Sequence, residues 1–210
     1  MSESNLVLVY VIDSHDTDFA KEVEQLIRTM TDVDFEMIPF PVDHWNDDLS
    51  PWPSPAVFGK DDFGGKAADT LERLTSLCND NAKTYILGGY SLAGLFTLWA
   101  ACESNVFMGI AAASPSVWFP GFVDYMKEHP LHSKAVYLSL GNRESKTKHP
   151  TMSQVDFCIS SIFDMLQKQQ ITSILDWNEG NHFKDVGLRC AKAFTWTVNV
   201  LQSCEDGKRE

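Results

Sequence analysis

A serine, a glutamate and a histidine in this sequence each follow a stretch that is typical of a buried strand. Ser91 follows a run that begins at Thr84, Glu144 follows 134–140 and His182 follows 171–177. A serine hydroxyl is a weak nucleophile and needs a base to take its proton. An imidazole whose other nitrogen is held by a carboxylate is such a base. The three residues therefore predict nucleophilic attack on a carbonyl carbon, with a covalent acyl intermediate.

The segment around Ser91 has the pattern of a tight strand–turn–helix. Gly89 precedes the serine by two residues and Ala93 follows it by two, so the neighbours are small enough for a strained turn. This is the G-x-S-x-G nucleophile elbow with alanine in the last place. The alternative is an ordinary strand-to-helix turn in which Ser91 caps the helix.

The rest of the chain predicts the elements that would bring these residues together. Apolar, β-branched runs alternate with segments of helical spacing, which favours an α/β fold whose sheet is parallel, with right-handed crossovers. About six mainly parallel strands with helices on both faces are expected. The strands are 6–12, 35–40 (stopped by Pro39 and Pro41), 84 to the elbow, 106–113, 134–140 and 171–177. The helices lie at 19–30, 67–77, after the elbow, and at 122–127, 152–169 and 186–201.

The predicted sheet places the three chemical residues at one edge, because active groups of open α/β sheets lie at the carboxyl ends of strands. Their order along the chain is nucleophile, acid, base, which is the order of α/β-hydrolase triads. Glu144 is the preferred acid because it comes three residues after Gly141 in a turn. Asp156 and Asp185 are the alternatives, one inside a predicted helix and one at the start of another.

A tetrahedral intermediate also needs donors for its oxyanion. The backbone N–H of Leu92 is the first candidate, because it follows the nucleophile and begins a helix. The second donor usually comes from the loop after the first strand of such a sheet. That loop is 13–16 here, so the backbone N–H of Ser14 or His15 is expected to serve.

Residues 42–65 form a long segment without a clear period. It contains His44, Trp45, Trp52 and three prolines. Long ordered loops often line functional sites, and His44, Trp45 and Trp52 are therefore candidate substrate contacts, with Trp118 at the end of the strand beside the elbow. The alternative is a surface excursion that its own tryptophans hold in place.

Composition narrows the class of protein. The 210 residues fit a single domain, 1–210, and the net charge of −12 argues against nucleic acid or an anionic membrane surface as a partner. No apolar run approaches the ~20 residues of a membrane span, and residues 1–5 are too polar for a signal peptide.

Five scattered cysteines indicate reduced thiols and a cytoplasmic protein. No metal-ligand spacing or phosphate-binding glycine loop is present, so no metal or cofactor is expected.

Four motifs in order resemble one family of esterases within the α/β-hydrolases. They are Gly-Tyr-Ser-Leu-Ala-Gly, Ser-Pro-Ser-Val-Trp, Gly-Asn-Arg-Glu-Ser-Lys-Thr and Gly-Asn-His-Phe. The family includes enterochelin-type siderophore esterases, feruloyl esterases, S-formylglutathione hydrolase and mycolyltransferases. The resemblance covers roughly 6–201 and implies that Ser91 is the nucleophile, Glu144 the acid and His182 the base, with Trp118 beside the substrate. The expected fold is a minimal α/β-hydrolase fold. The sequence departs from the family in two ways, because the first two strands of the full fold and the expected glycines of the oxyanion loop do not appear in it.

Three functions are consistent with these residues. The first is hydrolysis of small-molecule carboxylic esters with small or medium, uncharged acyl groups. The second is acyl transfer by the same triad to an acceptor alcohol. The third is a binding protein that kept the fold without the activity, which the intact set of Ser91, Glu144 and His182 argues against.

Overall fold

The computed structural model of the chain describes residues 5–57 and 59–206, so residues 1–4, 58 and 207–210 of the expected domain lie outside the described part. The strands are β1 (Leu6–Asp13), β2 (Glu36–Val42), β3 (Pro53–Ser54), β4 (Phe63–Gly64), β5 (Thr84–Tyr90), β6 (Phe107–Ala113), β7 (Ala135–Gly141) and β8 (Thr172–Asn178). The helices are α1 (Thr17–Met30), α2 (Trp45–Leu49), α3 (Ala67–Leu77), α4 (Leu92–Glu103), α5 (Phe122–Glu128), α6 (Val155–Lys168) and α7 (Val186–Asp206). A short 3₁₀ turn, Met152–Gln154, precedes α6.

Six of these strands form one parallel sheet in the order β2-β1-β5-β6-β7-β8. The crossover from β2 to β5 reverses the direction in which strands are added, so β1 and β5 lie side by side at the point of reversal. Ligands of open α/β sheets bind at such a switch point, beyond the carboxyl ends of the strands. We therefore expect the ligand site of this fold at the turns that follow β1 and β5.

The alternation of side chains along β1 shows how the two layers of helices are held. Val7, Val9 and Val11 face the core that contains α3, α4, α5 and α6. Leu8, Tyr10 and Ile12 face the opposite core, which contains α1 and α7. Because both faces of the strand are apolar, helices cover both sides of the sheet. This confirms the predicted fold class, a parallel sheet flanked by helices on both faces.

The second strand differs from its prediction for a physical reason. Pro39 and Pro41 lie inside β2 and pair with Tyr10 and Ile12 of β1, where the sequence suggested that they end the strand. Proline lacks an N–H and is tolerated on an edge strand, since an edge strand has a partner on one side only. β2 is at the edge of the sheet, so the two prolines cost it no hydrogen bond to a second neighbour.

The segment 42–65 contains more regular structure than its composition suggested. It holds the helix α2 and the small antiparallel pair β3–β4, in which Ser54 lies opposite Phe63. Leu49 and Phe63 are buried in the main core. The segment is therefore an ordered flap that is anchored to the body by apolar side chains.

The crossing of β5 and α4 explains the small residues of the elbow. A Cβ added to Gly89 would lie 2.7 Å from the Cβ of Ala93, so the alanine methyl fits because the glycine has none. Every residue of 92–102 in α4 is buried. The helix therefore has no free side to which it could shift, and the elbow is fixed in position.

None of the helices within 5–57 and 59–206 is both long enough and apolar enough to cross a membrane. All five cysteines are free thiols; Cys78, Cys102 and Cys190 are buried, whereas Cys158 is half-buried and Cys204 is exposed.

The packing at the elbow predicts a difference between two glycine substitutions. Gly89→Ala should lower the free energy of unfolding by about 1–3 kcal/mol, because its methyl must displace Ala93. Gly187→Ala is the matched control, since its Cβ would meet nothing closer than 3.4 Å and alanine favours a helix. Urea denaturation of the two variants measures both effects. An unchanged stability of Gly89→Ala would contradict this account of the crossing.

Candidate active site

Ser91 occupies a strained turn between β5 and α4. Its backbone has φ 58° and ψ −119°, a region that residues with a side chain rarely adopt. Its N–H donates to the Ala113 carbonyl at 3.2 Å and its own carbonyl accepts from the N–H of Ser116 at 2.9 Å. Its side chain makes no capping hydrogen bond to α4. The geometry is that of a nucleophile elbow and differs from that of an ordinary helix cap.

His182 connects the serine to a carboxylate. Its Nε2 lies 3.0 Å from the Ser91 hydroxyl, and its Nδ1 lies 2.7 Å from Oε2 of Glu144. A carboxylate on Nδ1 fixes the tautomer in which Nε2 is free to accept a proton. The structure thus brings together, within hydrogen-bonding distance, the three residues that the sequence selected.

The loops that carry Glu144 and His182 are bound to each other through their backbones. The N–H groups of Asn142 and Arg143 donate to the carbonyls of Asn178 and Gly180, at 2.8 and 3.0 Å. A Cβ at Gly141 would lie 2.5 Å from the Gly180 carbonyl oxygen, so this approach requires glycine. The acid and the base are therefore positioned as one unit at the ends of β7 and β8.

Glu144 is almost completely buried, with 5% of its side chain exposed. Its Oε1 accepts hydrogen bonds from the Gly141 N–H at 2.7 Å and from the Ser114 hydroxyl at 2.9 Å. Burial by itself would raise the pKa of this carboxyl, but the bonds from His182, Gly141 and Ser114 outweigh it, and the pKa is below its ordinary value. Glu144 is therefore an anion throughout the neutral range.

A second buried charge lies beside Glu144, and the sequence reasoning missed it. Arg189 of α7 is 1% exposed, and its Nη1 donates to Oε1 of Glu144 at 2.9 Å. An arginine in a helix that also supplies core residues was the available signal, since buried arginines are nearly always paired. The position of its partner could not be read from the sequence.

The other carboxylates considered as the acid lie elsewhere. Asp156 contacts the Ser145 hydroxyl at 2.5 Å, and its remaining oxygen is buried without a hydrogen bond. Asp185 is exposed and its carbonyl accepts from the N–H of Arg189 in the first turn of α7. Neither has a hydrogen bond to His182, so Glu144 is the acid that the geometry supports.

The candidate oxyanion donors differ in availability. Leu92 is the first residue of α4, and an N–H in the first turn has no partner within its helix. The N–H of Ser14 donates to the Val42 carbonyl at 3.0 Å, and that of His15 donates to Oδ1 of Asp13 at 2.9 Å. The expectation that Ser14 or His15 supplies the second donor is therefore not supported, because both N–H groups already have acceptors.

Ser116 is a further polar neighbour of the nucleophile that the sequence did not identify. Its hydroxyl lies 3.2 Å from the Ser91 hydroxyl, and only 3% of the residue is exposed. Either hydroxyl can donate in this contact, and the Ser116 hydroxyl is the donor when Ser91 donates its proton to His182. Ser116 is the third residue after β6 and belongs to the Ser-Pro-Ser-Val-Trp motif, but the motif by itself assigns it no chemical role.

Two cavities meet at Ser91. One has a volume of about 310 Å³ and also contacts His182 and Glu144; its apolar wall is formed by Trp45, Trp118, Met152, Val155 and Phe183. The other has a volume of about 420 Å³ and is lined by the carboxyl end of β1, Tyr90, Trp45, Phe19, Val186, Asp13 and Asp16. Trp45, the first residue of α2, lines both cavities. It therefore lies between them, next to Ser91.

The remaining residues of the expected substrate wall lie away from Ser91. Trp52 donates its indole N–H to the Pro120 carbonyl at 3.0 Å and packs on Phe119 and Tyr125, with ring centroids 5.6 and 5.4 Å away. His44 lines a separate surface depression beside Gly59 and Lys60. Neither lines the cavities at Ser91, because Trp52 anchors the flap to α5 and His44 is an exposed residue that precedes α2. Trp45 and Trp118 are the two that reach the cleft.

No three or more histidine, cysteine, aspartate or glutamate side chains among residues 5–57 and 59–206 are grouped so as to hold a metal ion.

The sheet order, the strained serine after β5 and the succession of serine, acid and histidine define an α/β-hydrolase fold. Solved structures agree. The siderophore hydrolase EstA from Aspergillus nidulans matches with a TM-score of 0.70 at 18% identity, over 94% of this chain and 84% of its own. An IroE-like serine hydrolase from Shewanella oneidensis matches with a TM-score of 0.70 at 14% identity, over 95% and 70%.

The enterobactin esterase Fes from Shigella flexneri matches with a TM-score of 0.63 at 15% identity, over 97% of this chain and 54% of its own. At these identities the likeness establishes the fold. No protein-family model and no curated protein sequence matches the chain.

The contacts of the three carboxylates predict how they affect the reactivity of Ser91. A fluorophosphonate probe should label Ser91, and Glu144→Gln should slow labelling at least tenfold, because the amide no longer favours the reactive tautomer. Asp156→Asn and Asp185→Asn are the controls and should label at the wild-type rate. Slow labelling of either control, with normal labelling of Glu144→Gln, would show that the acid is misassigned.

Proposed function

We propose that the protein is a serine hydrolase that cleaves carboxylic esters of small or medium, uncharged acyl groups. The observation that carries this proposal is the continuous hydrogen-bonded chain from the Ser91 hydroxyl through His182 to Glu144. A buried, ionised carboxylate, an oriented imidazole and a strained serine meet at the junction of two cavities. Together they supply the parts that acyl transfer needs.

The first half of the proposed reaction forms an acyl-enzyme. The Ser91 oxygen attacks the ester carbonyl carbon while its proton passes to Nε2 of His182, and the carbonyl π electrons move onto the oxygen. The tetrahedral intermediate collapses, the bond to the alcohol oxygen breaks, and that oxygen takes its electron pair and the proton from Nε2. Glu144 stabilises the imidazolium that forms between these steps.

The second half repeats the chemistry with water. His182 removes a proton from the water, whose oxygen attacks the acyl carbon, and the Ser91 oxygen leaves with the proton returned by Nε2. The N–H of Leu92, at the positive end of α4, is the proposed donor to the oxyanion in both halves. No step requires a metal ion or a cofactor.

The walls of the two cavities support a preference for uncharged substrates. The smaller cavity is lined mainly by apolar and aromatic side chains, including Trp118 and Trp45, which favour apolar or aromatic acyl groups. The larger one carries Asp13 and Asp16, and the chain has a net charge of −12. An anionic substrate would be repelled on entering, whereas an uncharged one would not. The names of the siderophore hydrolase and enterobactin esterase neighbours are in keeping with ester hydrolysis.

Replacement of the triad residues should abolish ester hydrolysis. Ser91→Ala and His182→Ala should each lower kcat roughly 10⁴- to 10⁶-fold on p-nitrophenyl esters, because triad members act as a unit. Glu144→Gln should lower kcat less, on the order of 10²- to 10⁴-fold. Near-normal turnover by Ser91→Ala would exclude it as the nucleophile. A wild-type protein inert to every ester and to fluorophosphonate would instead favour a binding protein of the same fold.

Trp118 should determine the size of the acyl group. Trp118→Ala should raise KM for bulky or aromatic acyl esters about tenfold more than for acetate, a difference of ~1.4 kcal/mol of lost apolar contact. Trp177→Ala is the control, since Trp177 is half exposed on β8 and lines neither cavity. Steady-state kinetics across a chain-length series measures the effect. Equal changes in KM for acetate and for bulky esters would contradict it.

A further inference from the structure

We propose that Arg189 is a positioning residue for the reaction, which binds Glu144 and the loop of His182 into one fixed arrangement. The inference rests on the proposed function, because it assigns a role within the same site. Arg189 lines neither cavity at Ser91, so it has no contact with substrate. Its influence on the reaction must pass through the residues that it holds.

The two ends of the guanidinium hold different parts of the site. Nη1 donates to Oε1 of Glu144 at 2.9 Å and to the Ser114 hydroxyl at 3.1 Å. Nη2 donates to the backbone carbonyls of Glu179 and Asn181, at 3.2 and 3.0 Å, in the loop directly before His182. A planar fork with several donors can hold both at once, which an ammonium group cannot do with the same geometry.

A third contact reaches the histidine through a tyrosine. Nη1 also lies 3.3 Å from the Tyr90 hydroxyl, which donates to the backbone carbonyl of His182 at 2.5 Å. The backbone on both sides of the histidine is therefore tied to Arg189, at Asn181 directly and at His182 through Tyr90. Withdrawal of the His182 backbone from Ser91 would break these bonds.

The positive charge of Arg189 also affects Glu144 electrostatically. When His182 is neutral, as it must be to accept a proton, Arg189 is the cation in direct contact with the buried Glu144 carboxylate. Tyr90, Tyr137 and Cys190 are titratable groups that lie close enough to interact with Arg189. Burial raises the pKa of Tyr90 to about 12 and that of Cys190 to about 12, and raises that of Tyr137 further. All three are uncharged near neutral pH, so Arg189 balances the charge of Glu144 while the histidine is neutral.

The direction of the pH effect follows from this arrangement. Glu144 and His182 share a hydrogen bond of 2.7 Å, so a charge beside one of them acts on both. A fixed positive charge beside such a pair lowers its affinity for a proton, whichever member takes it. Removal of the charge should therefore move the acid limb of kcat/KM to higher pH, since the site would become protonated earlier as the pH falls.

Two substitutions of Arg189 distinguish the effect of its positive charge from the effect of its simultaneous hydrogen bonds. Arg189→Lys keeps the charge and loses the simultaneous bonds to Glu144 and to the loop, so kcat should fall at least tenfold with little movement of the acid limb. Arg189→Met loses both, so kcat should fall further and the acid limb should move to higher pH. KM should stay near the wild-type value in both variants. Arg143→Met is the matched control, because Arg143 is exposed and precedes Glu144 by one residue.

The experiment has two parts. The first records pH–rate profiles on a p-nitrophenyl ester, normalised to the folded fraction from circular dichroism. The second follows the His182 Nδ1–H resonance by proton NMR at low pH. In the wild type and Arg143→Met this proton should be protected by Glu144, and in Arg189→Met it should broaden through exchange with water. Wild-type kcat per folded molecule, an unmoved acid limb and a protected proton in Arg189→Met would overturn the inference. If the wild type hydrolyses no ester, the proposed function fails, and the NMR result still decides whether Arg189 holds the pair.

Discussion

The hydrogen bond between His182 and Glu144 is the interaction on which the rest of the site depends. A carboxylate with 5% of its side chain exposed is costly to bury, and here it keeps its charge because a backbone N–H, a hydroxyl, an imidazole and a guanidinium all point at it. Removing one of these donors would leave a buried charge under-satisfied. The bond therefore stabilises a particular arrangement of β7, β8 and α7, and that arrangement sets the distance from the imidazole to Ser91.

The sheet makes this arrangement possible through its parallel strands. Because the strands run in one direction, their carboxyl ends deliver the serine, the acid and the histidine to the same edge. Gly89 permits the close crossing of β5 and α4, and Gly141 permits the contact between the two loops that carry acid and base. The flap of residues 42–65 then adds Trp45, which separates the apolar cavity from the one that carries acidic residues. Rigid packing behind the site and an open cleft in front of it arise from the same topology.

The sequence predicted the features that local patterns encode, and it missed the contacts between residues that are far apart in the chain. The six strands are visible because most of them are apolar runs. Ser91 and His182 follow from the elbow pattern and the strand ends, whereas the choice of Glu144 over Asp156 and Asp185 needed the hydrogen bond to His182. The bonds of Arg189 span 45 residues to Glu144, and no local pattern encodes such a partnership. The sequence left two places open for Trp52, the cleft or the anchor of its own loop, because the direction of its side chain is set by a carbonyl 68 residues away. The amide of Ser14 is likewise used by the paired strand β2, which its own loop does not reveal.

The central claim is that Ser91 carries the acyl group between two half-reactions. It is tested most directly by mixing the protein with a slowly hydrolysed p-nitrophenyl ester, quenching with acid within the first turnover, and determining by mass spectrometry where the acyl group is attached. The account predicts one acyl group per molecule on the peptide that contains Ser91, formed together with a stoichiometric burst of p-nitrophenol and lost as hydrolysis proceeds. An acyl group on another residue, or turnover without any acylated protein, would contradict it.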